Sequence, residues 1–131
     1  PDRLLMLAGE LGAIIGEYKP AVVALETAFH GVNASSALKL GQARGAVMLV
    51  SAQHGLGVAE YAPALIKRAV VGHGRATKQE VQTRIALLCR LSREPASDAA
   101  DALALALCHA QLGREPGGGV DLSARTGRRF S

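Results

Sequence analysis

Ser97-Asp98-Ala99-Ala100-Asp101 runs without a break into Ala102-Leu103-Ala104-Leu105-Ala106-Leu107, and this meeting of two carboxylates with an apolar run constrains the chain most. The run has no polar side, so a helix built from it is expected to be buried nearly all round. Asp98 and Asp101 then share one face at the N-terminal mouth of a core helix. Two roles are open to them. Asp98 as N-cap with Asp101 at N3 satisfies backbone amides and suits the helix dipole. Alternatively the pair holds a divalent metal, because Mg²⁺ is bound by one or two carboxylates together with substrate phosphate oxygens.

A chain of 131 residues with 49% hydrophobic content predicts one domain with an ordinary core. Only Phe29, Phe130, Tyr18 and Tyr61 are aromatic, so that core has to be aliphatic. No apolar run approaches the ~20 residues of a membrane span, so no membrane role is expected. Cys89 and Cys108 fall in apolar helical settings and read as buried free thiols. No Cys/His cluster has zinc spacing. A reducing cytoplasm is the expected compartment.

Charge is segregated. From Leu65 to Arg93, seven basic residues (Lys67, Arg68, Arg75, Lys78, Arg84, Arg90 and Arg93) face one acid, Glu80. Such a stretch points to a polyanion, usually nucleic acid, or to a solvated helix face.

Residues 3–19 have helical apolar spacing, ended by Pro20. The chain opens abruptly on Pro-Asp-Arg, which is the pattern of a fragment of something longer. Ala21-Val22-Val23-Ala24-Leu25-Glu26 reads as a buried parallel strand with a carboxylate at its carboxyl end, where α/β sheets place ligands. Phe29 and His30 follow in a loop beside Gly31; Phe29 either stacks on a base or folds into the core. Asn33 is the expected N-cap of a long helix to about Gln53. Its stripe of Ala34, Ala37, Gly41 and Gly45 admits a close helix, either in the same subunit or across a twofold axis.

Val58 to Tyr61 reads as a second strand, and Pro63 opens a helix over about 64–70. The loop Gly72-His73-Gly74-Arg75 allows close approach to a phosphate but matches no dinucleotide or P-loop spacing. Thr77 and Glu80 form a capping box for a helix to about Leu91, with Val81, Ile85, Leu88 and Leu91 on its buried face. Residues 113–131, rich in Gly and ending in Arg125, Arg128 and Arg129, read as a disordered basic tail after a domain over 1–112.

With these segments assembled, the chain resembles the bacterial RuvC-type Holliday-junction resolvases from about Leu4 to Gln111. The likeness rests on Ala24-Leu25-Glu26-Thr27-Ala28-Phe29, the stretch Asn33 to Gly45, Val70 to Lys78, and Asp98-Ala99-Ala100-Asp101-Ala102-Leu103-Ala104. Four ordered blocks at compatible spacing are far more specific than a lone DxxD. The resemblance implies an α/β, RNase H-like fold with a mixed central sheet flanked by helices. It implies a homodimer through the helix starting at Asn33. It further implies an endonuclease using two Mg²⁺ or Mn²⁺ ions, which nicks four-way junction DNA symmetrically in recombination and repair.

By motif, Glu26, Asp98 and Asp101 are then metal-binding catalytic carboxylates. Phe29 lies at the junction centre, and Lys67, Arg75 and Lys78 contact or support the DNA. The RuvA–RuvB branch-migration complex is the implied partner and the nucleoid the implied place. The family's first catalytic aspartate, on a strand with a Gly-Ile-Asp-Pro-Gly-like motif, has no match here. Asp2 precedes a helix, so the chain is expected to start after three strands and one metal ligand. Competing expectations are a non-catalytic DNA-binding module and an RNase H-like nuclease acting on another substrate.

Overall fold

The computed structural model describes residues 1–27, 33–113 and the strand pair 120–121. Elements follow the order α1 (Asp2–Tyr18), β1 (Val22–Glu26), α2 (Ala34–Gln53), β2 (Gly57–Tyr61), α3 (Pro63–Val71), α4 (Lys78–Leu88), α5 (Ser97–Leu112) and β3 (Val120–Asp121). The sheet order is β1-β2-β3, with β1 and β2 joined through α2 in the manner of a parallel crossover. Central β2 buries Val58, Ala59 and Tyr61, whereas Val22 to Leu25 of β1 are only half-buried. Within this sheet β1 pairs with β2, and its apolar run 21–26 is less buried than its composition suggests.

The described residues fall into two compact units, one holding 1–23 and 33–58 with 121, the other 24–27 and 59–113 with 120. Residues 120–121, within the stretch expected to be a disordered tail, form β3.

In the first unit α1 packs on α2. Lys19 closes α1 in the left-handed region (φ 49°), just before Pro20. The Asn33 side chain accepts the Ser36 amide at 2.9 Å, capping α2 as expected. Among the described residues, Gly41 and Gly45 of the α2 stripe have no close packing partner. Nothing among the described residues lies within 4 Å of a Cβ built on Gly41 or Gly45, and Leu38 and Leu49 beside them are 65% and 60% exposed. The expectation of a close helix in the same subunit is corrected on that ground.

In the second unit α3, α4 and α5 pack on one another. Ile66 and Val70, Val81 and Ile85, and Ala100, Ala104 and Cys108 are their buried stripes. Full burial of each Ile or Val side chain contributes about 1.5–3 kcal/mol. α5 is not buried all round: Ala102 and Ala106 are exposed, and the alanine spacing presents one thin stripe to its neighbours. α4 ends at Leu88, earlier than expected, where Arg90 takes a left-handed φ of 53°. Leu88 and Leu91 thereby leave the buried face and are 42% and 40% exposed. Cys108 is fully buried and Cys89 half-buried, both free.

Candidate active site

A cavity of about 410 Å³ in the second unit is lined by Glu26, Pro63, Ile66, Lys67, Lys78, Val81, Asp101, Ala102, Ala104 and Leu105. Its floor is aliphatic and its four charged groups come from four elements. Glu26 is the exposed last residue of β1, and the next amide, Thr27, donates to the Tyr61 carbonyl at 2.9 Å. Lys67 follows buried Ile66 on α3, is itself half-buried and lines the cavity.

Lys78 is the first residue of α4, and the capping box fixes it there. Thr77 Oγ1 accepts the Glu80 amide at 3.1 Å, and Glu80 Oε2 accepts the Thr77 amide at 2.9 Å. Asp101 follows buried Ala100 on α5. The entry of α5 is tied to α4 by Glu94, whose carboxylate accepts Gln79 Nε2 at 3.1 and 3.0 Å and the Thr83 hydroxyl at 2.9 Å. Gly72 turns the chain between α3 and α4 at φ 105°, a conformation that suits glycine alone.

The capping role expected for the two aspartates is corrected. Ala96, extended after Pro95, is the N-cap of α5 and makes no side-chain cap bond, which puts Asp98 second and Asp101 fifth in the helix. Neither carboxylate is held by a hydrogen bond or ion pair among the described residues. Both are free to serve a ligand. Asp98 lies in the first turn, where the helix dipole favours its charge, but it does not line the cavity. Among the described residues no group of three His, Cys, Asp or Glu is gathered closely enough to cage a metal, so the expected set of Glu26, Asp98 and Asp101 is not assembled as a protein-only cage. Two carboxylates on an open, lysine-rimmed cavity nevertheless fit Mg²⁺, which keeps water and takes phosphate oxygens as its remaining ligands.

Arg75 is exposed in the α3–α4 loop and does not line the cavity. His73 stands 3.9 Å from Glu80. Phe29 and His30 lie outside the described residues. The sequence reading missed the aliphatic floor of the cavity and the hydrogen bond between Tyr61 and His109. Its partners are 48 residues apart, so no local pattern announces it.

The family described as crossover junction endodeoxyribonuclease RuvC matches residues 1–109. The crossover junction endodeoxyribonuclease RuvC of Marinobacter nauticus is 48% identical over 126 residues, covering 96% of this chain and 70% of that protein. Its counterpart in Halorhodospira halophila is 53% identical over 109 residues, covering 83% and 65%. The chain thus spans about two thirds of these curated relatives. Thermus thermophilus RuvC superposes with a TM-score of 0.83 at 34% identity, over 92% of this chain and 73% of that one. The same protein in complex with Holliday junction substrate gives 0.86 over the same shares. The fold is therefore RNase H-like α/β, and the chain belongs to the RuvC family of crossover junction endodeoxyribonucleases.

Proposed function

We propose that these residues are the greater part of a divalent-metal-dependent endonuclease that resolves four-way DNA junctions by paired, symmetric nicks. The observation that carries this reading is the convergence of Glu26, Asp101, Lys67 and Lys78 on one cavity from four separate elements. Glu26 and Asp101 would hold the cation, with Asp98, one turn earlier on α5, as a third carboxylate turned to the same task by bound DNA. When bound, two divalent ions supply an activated water and stabilise the leaving 3′ oxygen of a phosphodiester. Lys67 and Lys78 attract the phosphate and hold it against the carboxylates, and the aliphatic floor beneath them strengthens those charge interactions by excluding water. Arg75, exposed on the adjoining loop, supports the flanking backbone, and Phe29 is assigned the junction centre through the family relationship alone.

Symmetric cutting needs two such sites. The exposed stripe of Gly41, Gly45, Leu38 and Leu49 on α2 suits an isologous dimer contact, because it is apolar and its two glycines have no close neighbour among the described residues. The RuvA–RuvB complex is the partner proposed on the strength of the family resemblance. Among the described residues no helix is long and apolar enough to cross a membrane.

The test is Mg²⁺-dependent nicking by the full-length gene product carrying these residues, offered a four-way junction, a linear duplex and an RNA–DNA hybrid. Paired nicks confined to the junction are expected. Cutting of the hybrid in preference makes the protein another kind of RNase H-like nuclease, and junction binding without cutting makes it a DNA-binding module.

A further inference from the structure

Tyr61 touches both halves of the candidate site through different atoms. Its backbone carbonyl accepts the Thr27 amide at 2.9 Å and so fixes the residue after Glu26. Its hydroxyl shares a 2.5 Å hydrogen bond with His109 Nδ1, on the helix that carries Asp101. The two rings meet edge-on, centroids 5.7 Å apart and planes at 68°. Tyr61 is 1% exposed, so its ring and hydroxyl are held within the core.

The imidazole in turn depends on Gly113. A Cβ there would stand 2.6 Å from His109 Cε1 and 2.6 Å from its carbonyl oxygen, which accepts the Gly113 amide at 2.7 Å. All these residues belong to the second unit. None of the three lines the cavity.

We propose that Tyr61 is a positioning residue: with His109 it holds the Glu26 end of β1 and helix α5 at the spacing that lets one divalent cation meet Glu26 and Asp101 together. The proposal rests on the metal-site reading above. Tyr61 reaches neither substrate nor cation; it acts through the strand end and the helix. Partners that orient metal ligands from outside the coordination shell typically account for about 10- to 100-fold in affinity.

Mn²⁺ affinity, read from the resonance of free Mn²⁺, and amide exchange at Thr27 are measured together in the full chain. The variants are Tyr61→Phe, His109→Leu, both combined, and His109→Asn, whose amide replaces Nδ1. Glu26→Gln is the control. Tyr61→Phe and His109→Leu are each expected to weaken Mn²⁺ binding about 10-fold and to speed Thr27 exchange while amides of the first unit are unchanged. The double variant adds nothing further, and His109→Asn restores both readouts, which a general loss of stability does not do. Parental Mn²⁺ affinity in both single variants, additive losses, or His109→Asn behaving like His109→Leu overturns the proposal. If the parent binds no Mn²⁺, or Glu26→Gln binds it equally well, the metal-site reading fails. Thr27 exchange then decides whether the Tyr61 linkage exists on its own.

Discussion

Glu26 closes strand β1 and Asp101 sits in the second turn of α5, yet both line one cavity. Two carboxylates lining one cavity offer oxygen ligands of the kind that Mg²⁺ takes. Saturating Mg²⁺ is therefore expected to raise Tm, as any ligand bound only by the native state does. The rise should vanish in Asp101→Asn. A thermal scan with Mg²⁺ against the same ionic strength of NaCl checks this; equal curves count against a metal at this cavity.

Asp98 separates two physical roles. It occupies the first turn of α5 without capping it, so its dipole contribution is limited to about 0.3–1 kcal/mol. Asp98→Asn is expected to change stability by no more than that and to reduce metal-dependent nicking about 100-fold or more, since a lost metal ligand removes several kcal/mol of charge stabilisation. Denaturant melts and single-turnover rates measured on one preparation separate the two. Normal nicking with a lowered melt returns Asp98 to helix-end electrostatics.

Lys67 and Lys78 are expected to contact phosphate and not bases. Lys67→Ala and Lys78→Ala should each weaken junction binding at low salt and flatten the dependence of log K on log salt by about 0.9. Binding isotherms at four salt concentrations read the slope. An unchanged slope removes that lysine from the interface.

The capping box links folding to this contact, because it fixes the turn that begins with Lys78. Thr77→Ala is expected to cost about 1 kcal/mol, read by urea unfolding, and to weaken junction binding with it. Thr77→Ser keeps the hydroxyl and should restore both.

Burial pushes the Cys108 thiol above its ordinary value of 9.0. The folded state thus keeps this proton at a pH where the unfolded chain has lost it, and protein stability falls as pH rises beyond about 9. Cys108→Ser should remove that alkaline loss. At neutral pH an alkylating reagent is expected to modify half-buried Cys89 well before fully buried Cys108, with mass spectrometry of digests giving the order.

Local patterns in the sequence recovered local structure. Asn33 and the Thr77–Glu80 box gave helix starts where the structure has them, because a side-chain cap is written within four residues. Helix ends were less legible: α4 stops at Leu88 because the backbone turns at Arg90, and leucine spacing alone carries no record of that turn. Burial was over-read at Leu88, Leu91 and along α5, since apolar composition states what can be buried and packing decides what is. That Glu26, Lys67, Lys78 and Asp101 line one cavity follows from tertiary packing, while the motif blocks singled out Glu26, Lys78 and Asp101 as candidates. The assignment of Ala96 as the cap in place of Asp98 was not legible, because Ser97 and Asp98 are both good caps and the extended backbone after Pro95 decided the register. The Tyr61–His109 bond joins distant residues by tertiary packing alone.

The most direct measurement compares Mg²⁺-dependent nicking of a synthetic four-way junction by the full-length gene product with that by its Glu26→Gln and Asp101→Asn variants, each at a concentration that saturates binding. The expected result is paired nicks from the parent and, from either variant, junction binding with nicking reduced about 100-fold or more. Parental nicking rates in either variant contradict the account, because the cavity's carboxylates would then have no part in the chemistry.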